Sequence, residues 1–302
     1  MNIESLNKDF AIDNAAIFDE KSNGQIVVKI NNAHAKAEIM LQGAHLIHWQ
    51  PVNEKPVIWL SEDASIVKSK SIRGGIPVCW PWFGAHGAND SFPAHGYART
   101  ELWQPIKIEK LSDDRTRIAF KLLESVETEK FWPYNTDLEI QFIIGKTLEI
   151  ILTTKNPGDE TIALTEALHT YFNVGDINKL HISGLDKSSY LDKPDNFAIK
   201  KQHGKININE EVDRVYIDTT ADVFIDDPVF NRRIVIAKKG SSSTIVWNPW
   251  ADVANKMGDL GEKGYLNMVC IESANAAVNI LKIEPGQTHC LKVIYSVDAL
   301  SY

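Results

Sequence analysis

Apolar and polar residues alternate with a period of two through much of this chain, and that alternation restricts the fold more than any other feature. The clearest examples are TRIAFKL (116–122), DLEIQFII (137–144) and TLEIILTT (147–154). In the third, Leu148, Ile150 and Leu152 are predicted to point to one side, as a strand with one buried face requires. Further short β-branched runs occur at 25–30, 232–237, 243–247, 267–273, 278–283 and 289–297.

Helices are expected to be scarce, because only residues 252–257 have the pattern of a short helical turn. Two long polar stretches, 84–96 and 183–203, are predicted to be loops of the kind that often carries function. No internal repeat, low-complexity tract or change in composition marks a linker. The sequence therefore predicts an all-β protein in which one domain, residues 1–302, forms a sandwich or barrel.

The composition excludes several classes of protein. The chain of 302 residues has a net charge of −8, whereas a nucleic-acid surface needs a basic stripe. No apolar run approaches the ~18 residues of a membrane span, and the first residues lack a signal-peptide pattern. The odd number of scattered cysteines (Cys79, Cys270, Cys290) suggests free thiols in a reducing compartment. We therefore expect a cytoplasmic monomer that binds neither nucleic acid nor membrane.

Several common sites are missing from the sequence. There is no P-loop, no strand-anchored Gly-x-Gly-x-x-Gly, no Cys-x-x-Cys and no Gly-x-Ser-x-Gly. His45 and His48 are three residues apart, so on a strand they face opposite sides and are not expected to share a metal ion. We interpret them as two half-buried histidines that flank Trp49, and no metal site is expected.

Charged or titratable side chains stand out in four apolar or glycine-containing segments. They are Arg73 in SIRGGIPVCWPWFG (71–84), His95 and Arg99 in PAHGYARTELW (93–103), His169 in EALHTYFNV (166–174) and Glu272 in MVCIESANA (268–276). Aromatic residues lie within or near these segments: Trp80, Trp82, Phe83, Trp103, Tyr171, Phe172, Trp247 and Trp250. Aromatic walls with a few fixed polar groups suit a sugar ring, although large aromatics serve a core equally well.

Each of these residues also has a structural interpretation. Arg73 and Arg99 can pair with carboxylates, which are plentiful in this chain, and His169 can be a satisfied core histidine. Glu272 follows a run of apolar residues, where an unpaired buried carboxylate costs several kcal/mol. It must therefore face a cavity, find a partner or have a raised pKa, unless it occupies the outward side of an edge strand.

Taken together and in this order, the motifs resemble the D-hexose-6-phosphate mutarotases, also called glucose-6-phosphate 1-epimerases, of the aldose 1-epimerase (galactose mutarotase-like) superfamily. The matching segments, which span residues 71 to 272, are SIRGGIPVCWPWFG, AHGYART, LHTYFNV, VDRVY, IVWNPW and VCIE. The resemblance implies a large antiparallel β-sandwich, or supersandwich, with an open cleft across one sheet. It also implies acid/base-catalysed interconversion of the α and β anomers of a hexose 6-phosphate without a cofactor. Glucose 6-phosphate is the expected substrate, although the sequence does not fix which hexose 6-phosphate is preferred.

The resemblance also assigns roles to individual residues. Glu272 corresponds to the base that takes a proton from the anomeric hydroxyl, and His169 to the acid that protonates the ring oxygen. Asp213, in VDRVY, matches a substrate-binding aspartate that accepts from sugar hydroxyls. Arg73 and Arg99 match phosphate-binding arginines, whose guanidinium groups suit phosphate oxygens.

His95 lies in the same loop as Arg99 and is expected to contact ring hydroxyls or the phosphate. Ala94 stands where some members of the family have glutamine, so one side-chain contact to the sugar is expected to be missing. Two other functions stay open at this stage: a mutarotase of non-phosphorylated aldoses, and a catalytically silent sugar-binding protein on the same fold. A glycoside hydrolase fits less well, because that chemistry usually needs two carboxylates at the scissile bond.

Overall fold

The computed structural model of the protein describes residues 2–123 and 125–300, and in those ranges antiparallel β-sheet dominates. Strands are numbered along the chain. The amino-terminal sheet has the order β1–β2–β3–β4. Its strands are β1 (Ala16–Glu20), β2 (Ile26–Asn31), β3 (Ala35–Met40) and β4 (His45–Pro51).

One of the two large sheets, called here the site sheet, contains the segments that carry most of the candidate residues. Its strands are β5 (Val78–Cys79), β11 (Glu166–Leu168), β12 (Tyr171–Asn173), β14 (Ser189–Asp192), β15 (Ala198–Lys201), β16 (Val212–Tyr216), β19 (Ser243–Asn248) and β20 (Met268–Asn275). The order is β15–β14–β16–β19–β20–β11–β5, and β12 pairs with β20 further along that strand. Within the described residues β20 is thus an inner strand.

The other large sheet, called here the backing sheet, has the order β13–β17–β18–β22–β9–β8–β7–β6. Its strands are β6 (Trp103–Lys110), β7 (Thr116–Leu122), β8 (Asp137–Ile144), β9 (Leu148–Lys155), β13 (His181–Ser183), β17 (Val223–Asp227), β18 (Arg232–Lys239) and β22 (Thr288–Ala299). Strands β10 (Ile162–Leu164) and β21 (Leu281–Ile283) form a short ribbon.

The two large sheets pack face to face around the main hydrophobic core. Phe172 of β12 meets Tyr295 of β22 with ring centroids 5.1 Å apart, and the Tyr295 hydroxyl lies 2.7 Å from that of Thr170. Core side chains come from both sheets, including Val269 and Ile271 of the site sheet. The all-β, antiparallel sandwich expected from the sequence is confirmed.

The alternating segments became strands in the predicted places. Leu148, Ile150 and Leu152 are all buried, while the residues between them are partly exposed. The run at 278–283 is shorter than predicted, because residues 276–279 form a turn and the strand begins at Leu281.

Two predictions about local structure were wrong. The stretch 183–203 is not simply a loop, because it contains β14 and β15, which pair as a hairpin. Helices besides α3 (Trp250–Met257) occur as α1 (Ile3–Phe10) and α2 (Val126–Glu129), with 3₁₀ turns at Lys193–Asp195 and Gly264–Leu266. Of the helices in the described residues, none combines the length and apolar character needed to cross a membrane.

Candidate active site

Glu272 lies in the middle of the site sheet, on β20. Its register partner on β19 is Ile245, and β11 and β12 pair with the other edge of β20. The residue is 1% exposed. The alternative that Glu272 occupies the outward side of an edge strand is therefore wrong.

Strand alternation decides which face of the sheet receives this carboxyl. Val269 and Ile271 point into the core between the two large sheets. Cys270 and Glu272 therefore point to the opposite face, since successive side chains alternate across a strand. Trp247, the register partner of Cys270 on β19, packs against the hydrophobic cluster that contains Cys270, on that same face. This face is the floor of the candidate site.

His169 follows β11 and lies beside Glu272. Its Nε2 is 3.4 Å from Oε1 of Glu272, and its ring stacks on Tyr171 with centroids 4.9 Å apart and planes 13° apart. Its backbone N–H donates to the carbonyl of Pro77, 3.0 Å away. Nδ1 is buried and has no hydrogen-bond partner among the described residues. The interpretation of His169 as a satisfied core histidine is therefore wrong.

Burial and neighbouring charges disfavour the ionised forms of both residues. Burial raises the pKa of the Glu272 carboxyl well above its usual range, and the Asp213 carboxylate raises it further. Burial lowers the pKa of His169 well below its usual range, and His95 and the arginine cations act in the same direction. Between the two titrations the pair holds one proton. A pair with one transferable proton can act as one acid and one base.

Arg99 brings a cation to this pair without a compensating carboxylate. Its Nη2 donates to the carbonyl oxygen of Ala94, 2.8 Å away, and its buried Nε has no partner among the described residues. No ion pair joins Arg99 to a carboxylate in residues 2–123 or 125–300. The ion-pair interpretation is therefore wrong for Arg99, whose positive charge contributes to the low pKa of His95 and His169.

Arg73 does form the ion pair that its structural interpretation predicts. Its Nε is 3.0 Å from Oδ1 of Asp259, and its Nη1 donates to the Tyr171 hydroxyl, 2.9 Å away. Gly75 fixes this arrangement: its carbonyl accepts from the Tyr171 N–H, and a Cβ there would lie 2.3 Å from Nε2 of His45. The guanidinium of Arg73 thus lies next to the stacked ring pair of the site.

His95 contributes a second imidazole from the loop 84–96. Its ring packs edge-on against Phe83, with centroids 4.8 Å apart, and lies 5.7 Å from the His169 ring. Burial, with Arg99 and other cations, lowers the pKa of His95 to about 3. The ring is therefore neutral at physiological pH, and it can donate one hydrogen bond and accept another.

Asp213 approaches Glu272 from the other side, on β16. Its register partner is Trp247 of β19, so both belong to the face that carries Glu272. The carboxylate is mostly buried and forms an ion pair with Lys193, whose Nζ lies 2.7 Å from Oδ2. Asp213 is close enough to raise the pKa of Glu272.

The structure therefore brings together all six residues that the sequence singles out: Arg73, His95, Arg99, His169, Asp213 and Glu272. Sequence reasoning missed the two partners, Asp259 and Lys193, because neither lies near its partner in the chain. Tyr171 and Trp247 had a usable signal, since both are aromatic residues in the matching segments.

The two histidines of β4 are differently buried. His45 is fully buried rather than half-buried, and its Nε2 lies 2.8 Å from the Gly74 carbonyl oxygen. His48 is partly exposed on the same strand. In the described parts of the chain no group of three or more His, Cys, Asp or Glu side chains is arranged to hold a metal ion.

The sequence is similar to those of known proteins. The sequence model of the aldose 1-epimerase family matches residues 26–296. A protein of Escherichia coli K12 named "Putative glucose-6-phosphate 1-epimerase" is 38% identical over an alignment of 259 residues, and the match covers 83% of this chain and 83% of that protein.

Solved structures agree as well. The crystal structure of a "putative mutarotase" from Salmonella typhimurium superposes with a TM-score of 0.89 at 31% identity, and the match covers 98% of this chain and 100% of that one. A galactose mutarotase-like protein from Clostridium acetobutylicum superposes with a TM-score of 0.74 over 94% of this chain and 98% of its own, at 13% identity. At that identity the likeness shows the fold alone, and the fold is the galactose mutarotase-like sandwich expected from the sequence.

Proposed function

The chain belongs to the aldose 1-epimerase family, and we propose that it interconverts the α and β anomers of a hexose 6-phosphate, with glucose 6-phosphate as the preferred substrate. The observation that supports the phosphorylated substrate is Arg99, a cation beside the His169–Glu272 pair that has no carboxylate partner among the described residues. The name of the Escherichia coli relative points the same way.

The reaction needs one proton acceptor at O1 and one proton donor at O5, the two oxygens bonded to the anomeric carbon. In the empty site the proton of the pair is on Glu272, and it must first move to His169, whose Nε2 lies 3.4 Å from Oε1. Glu272, now a carboxylate, takes the proton from the anomeric hydroxyl O1 while His169, now an imidazolium, gives a proton to the ring oxygen O5. The C1–O5 bond breaks, and its electron pair stays on O5. The products are an open-chain aldehyde, a protonated Glu272 and a neutral His169.

Ring closure repeats these steps in reverse. Rotation about the C1–C2 bond turns the other face of the aldehyde towards the O5 hydroxyl. His169 takes the O5 proton as the oxygen attacks C1, and Glu272 returns a proton to O1. The pair ends with the same single proton with which it began, and each proton transfer is worth ~10²–10⁴-fold in rate.

The arginines have different parts in this proposal. Arg99 provides a guanidinium that can donate to phosphate oxygens in a bidentate manner. Arg73 must share its guanidinium between the phosphate and Asp259. The pairing with Asp259 is also the observation that favours the second candidate, a mutarotase of non-phosphorylated aldoses, in which Arg73 only holds the Asp259 loop.

NMR exchange spectroscopy between the anomers of glucose 6-phosphate and of glucose tests the proposal. For Arg99→Met we expect KM for glucose 6-phosphate to rise about 10- to 100-fold, the range of one charge-assisted hydrogen bond, while KM for glucose stays unchanged. Arg115→Met, which removes an arginine on a distant turn paired with Asp113, is the matched control.

Two outcomes contradict the proposal. If the wild-type protein exchanges neither sugar faster than buffer does, the chain is not a mutarotase of these sugars. If Arg99→Met changes both sugars equally, Arg99 does not contact a phosphate, and the non-phosphorylated aldose becomes the better candidate.

A further inference from the structure

Lys193 is the cation of the site that no motif in the sequence marks. Its Nζ lies 2.7 Å from Oδ2 of Asp213, and its positive charge lowers the pKa of both Glu272 and His95. Glu272 lies on the floor of the site and His95 lies in the loop 84–96, so the charge of Lys193 acts on both of these parts of the site. Lys193 therefore belongs to the site.

The hairpin of β14 and β15 holds Lys193 at this position. Lys193 begins the 3₁₀ turn that follows β14, and β14 pairs with β16, the strand of Asp213. Lys200 fastens the turn, because its Nζ lies 2.6 Å from Oδ2 of Asp192 and 2.7 Å from Oδ2 of Asp195. The ammonium group is thus delivered to Asp213 by a turn that is itself braced.

The ammonium group of Lys193 has more N–H donors than its bond to Asp213 uses. A lysine carries three N–H donors, and the structure shows one of them used, on Asp213. The Lys193 side chain is 57% exposed, whereas that of Asp213 is 13% exposed. Two donors of Lys193 thus have no acceptor among the described residues, and they lie beside the largely buried carboxylate of Asp213.

The charge of this pair argues against a phosphate as its ligand. Lys193 and Asp213 compensate each other, while Arg99 has no compensating carboxylate among the described residues. A dianion is attracted to the uncompensated cation. A neutral pair of one donor and one acceptor instead suits neutral hydroxyls, of which one donates to the carboxylate and its neighbour accepts from the ammonium.

We propose that Lys193 and Asp213 together clamp two adjacent ring hydroxyls of the sugar, so that Lys193 is a binding and specificity-determining residue. The inference rests on the proposed function for the identity of the ligand as an aldose ring. It goes beyond that function because it assigns the hydroxyl end of the ring to the β14–β15 hairpin. Phosphorylated and non-phosphorylated aldoses are both held by this clamp.

Calorimetric dissociation constants test the clamp independently of catalysis. For Lys193→Met we expect Kd to rise about 10- to 100-fold for glucose 6-phosphate and by the same factor for glucose. Lys193→Arg, which keeps the donors, is expected to recover most of the affinity. Lys201→Met removes an exposed lysine of β15 in the same hairpin, and it should leave both constants unchanged.

Deoxy sugars then locate the hydroxyl. The wild-type protein should bind either 2-deoxyglucose 6-phosphate or 3-deoxyglucose 6-phosphate about tenfold or more weakly than the parent sugar. In Lys193→Met this penalty should disappear for the hydroxyl that Lys193 contacts. If Lys193 only holds Asp213 in place, Lys193→Met should still bind that deoxy sugar more weakly than the parent sugar, by the same factor as the wild type.

The outcomes distinguish this inference from the proposed function. A change in Kd within twofold for Lys193→Met overturns the clamp, and a change confined to glucose 6-phosphate replaces it with a phosphate contact. A wild-type protein that binds both sugars but does not exchange their anomers contradicts the proposed function and leaves the test of the clamp in force. A wild-type protein that binds neither sugar contradicts both.

Discussion

Replacing Glu272 by glutamine separates the effect of this carboxyl on stability from its effect on the reaction. The side chain is 1% exposed, and its Oε2 has no partner among the described residues. Burial, followed by the charge of Asp213, raises its pKa well above the usual range. In the folded state the carboxyl therefore keeps a proton that the unfolded chain releases above about pH 4.

The sign of the pH dependence follows from this difference in proton binding. Between the pKa of the unfolded and of the folded state, the folded protein binds more protons, so its unfolding free energy falls by about 1.4 kcal/mol per pH unit. Glutamine does not ionise, and Glu272→Gln avoids this loss. We therefore expect the variant to be more stable than the wild type at neutral pH, by a margin that disappears near pH 4.

Urea unfolding of both proteins, followed by tryptophan fluorescence at half-unit steps from pH 4 to pH 8, measures the margin. The difference in unfolding free energy should rise with a slope of about 1.4 kcal/mol per pH unit and level off at the pKa of Glu272. Glu109→Gln is the control, because hydrogen bonds and charges from Lys107 and Arg117 lower the pKa of Glu109. Glu109 is then ionised in the folded and the unfolded state above about pH 5, so the difference for this variant should stay flat from there to pH 8.

The same variant must lose activity if the proposed function is right. Anomer exchange of glucose 6-phosphate should fall by at least about 10²-fold, the lower end of the range for one positioned acid or base. Parallel unfolding curves from pH 4 to pH 8 would refute the buried, protonated carboxyl. Unchanged exchange would refute its role as the base.

Three further predictions concern the framework around the site. Arg232→Met should lower the free energy of unfolding, measured in urea, by about 3 kcal/mol or more. The buried guanidinium donates to three backbone carbonyls that the variant would leave unpaired, and a loss under about 1 kcal/mol contradicts this. Gly96→Ala should lower the free energy of unfolding by about 2 kcal/mol or more and slow anomer exchange. The backbone φ is +70° and the added Cβ would lie 1.9 Å from the Trp80 carbonyl oxygen. A variant with wild-type stability refutes this strain. Burial alone would lower the pKa of His289, but the hydrogen bond and ion pair with Glu166 raise this pKa above its usual value. The ion pair therefore stabilises the fold below about pH 6.5, and this stabilisation is lost as the pH rises through the raised pKa. Measured as melting temperature, His289→Gln should therefore differ from the wild type more at pH 5.5 than at pH 8.5, and an equal difference counts against this ion pair.

Period-two alternation predicted the long strands because each of them has one face in the core, as Leu148, Ile150 and Leu152 do. It failed for the site sheet, for two reasons. Both faces of β20 are buried, so its eight residues show no alternation in exposure. Strands such as β11 and β12 are only three residues long, which is too short for a period to be seen.

The candidate residues were found in the sequence because each lies in a motif, whereas their ion-pair partners were not. Arg73 and Asp259 are separated by 186 residues, and Lys193 and Asp213 by 20 residues across a hairpin that the sequence did not reveal. Such pairs are set by the order of strands in the sheet. No local pattern of residue types encodes that order.

Under the proposed function, the arrangement of charges explains how an acidic chain can attract an anionic sugar. The net charge of −8 repels an anion, but charges farther away than the ~8 Å Debye length at physiological salt act weakly. Near His95 the charges of Arg99, Lys193 and Arg73 all act in the same direction. Two of these cations are compensated, by Asp213 and Asp259, which leaves Arg99.

Arg99 can dominate only while the nearby carboxyl stays uncharged, and burial does this by raising the pKa of Glu272. A Glu272 that stayed ionised in the empty site would cancel the one uncompensated cation. Burial of Glu272 lowers the stability of the fold at neutral pH, but by keeping the carboxyl uncharged it also keeps the empty site cationic. The positive charge of Arg99 lowers the pKa of His169. Under the proposed function, a bound phosphate opposes this effect and so favours the His169 imidazolium, which must protonate the ring oxygen. Recognition of the anion and preparation of the acid are thus coupled through one guanidinium.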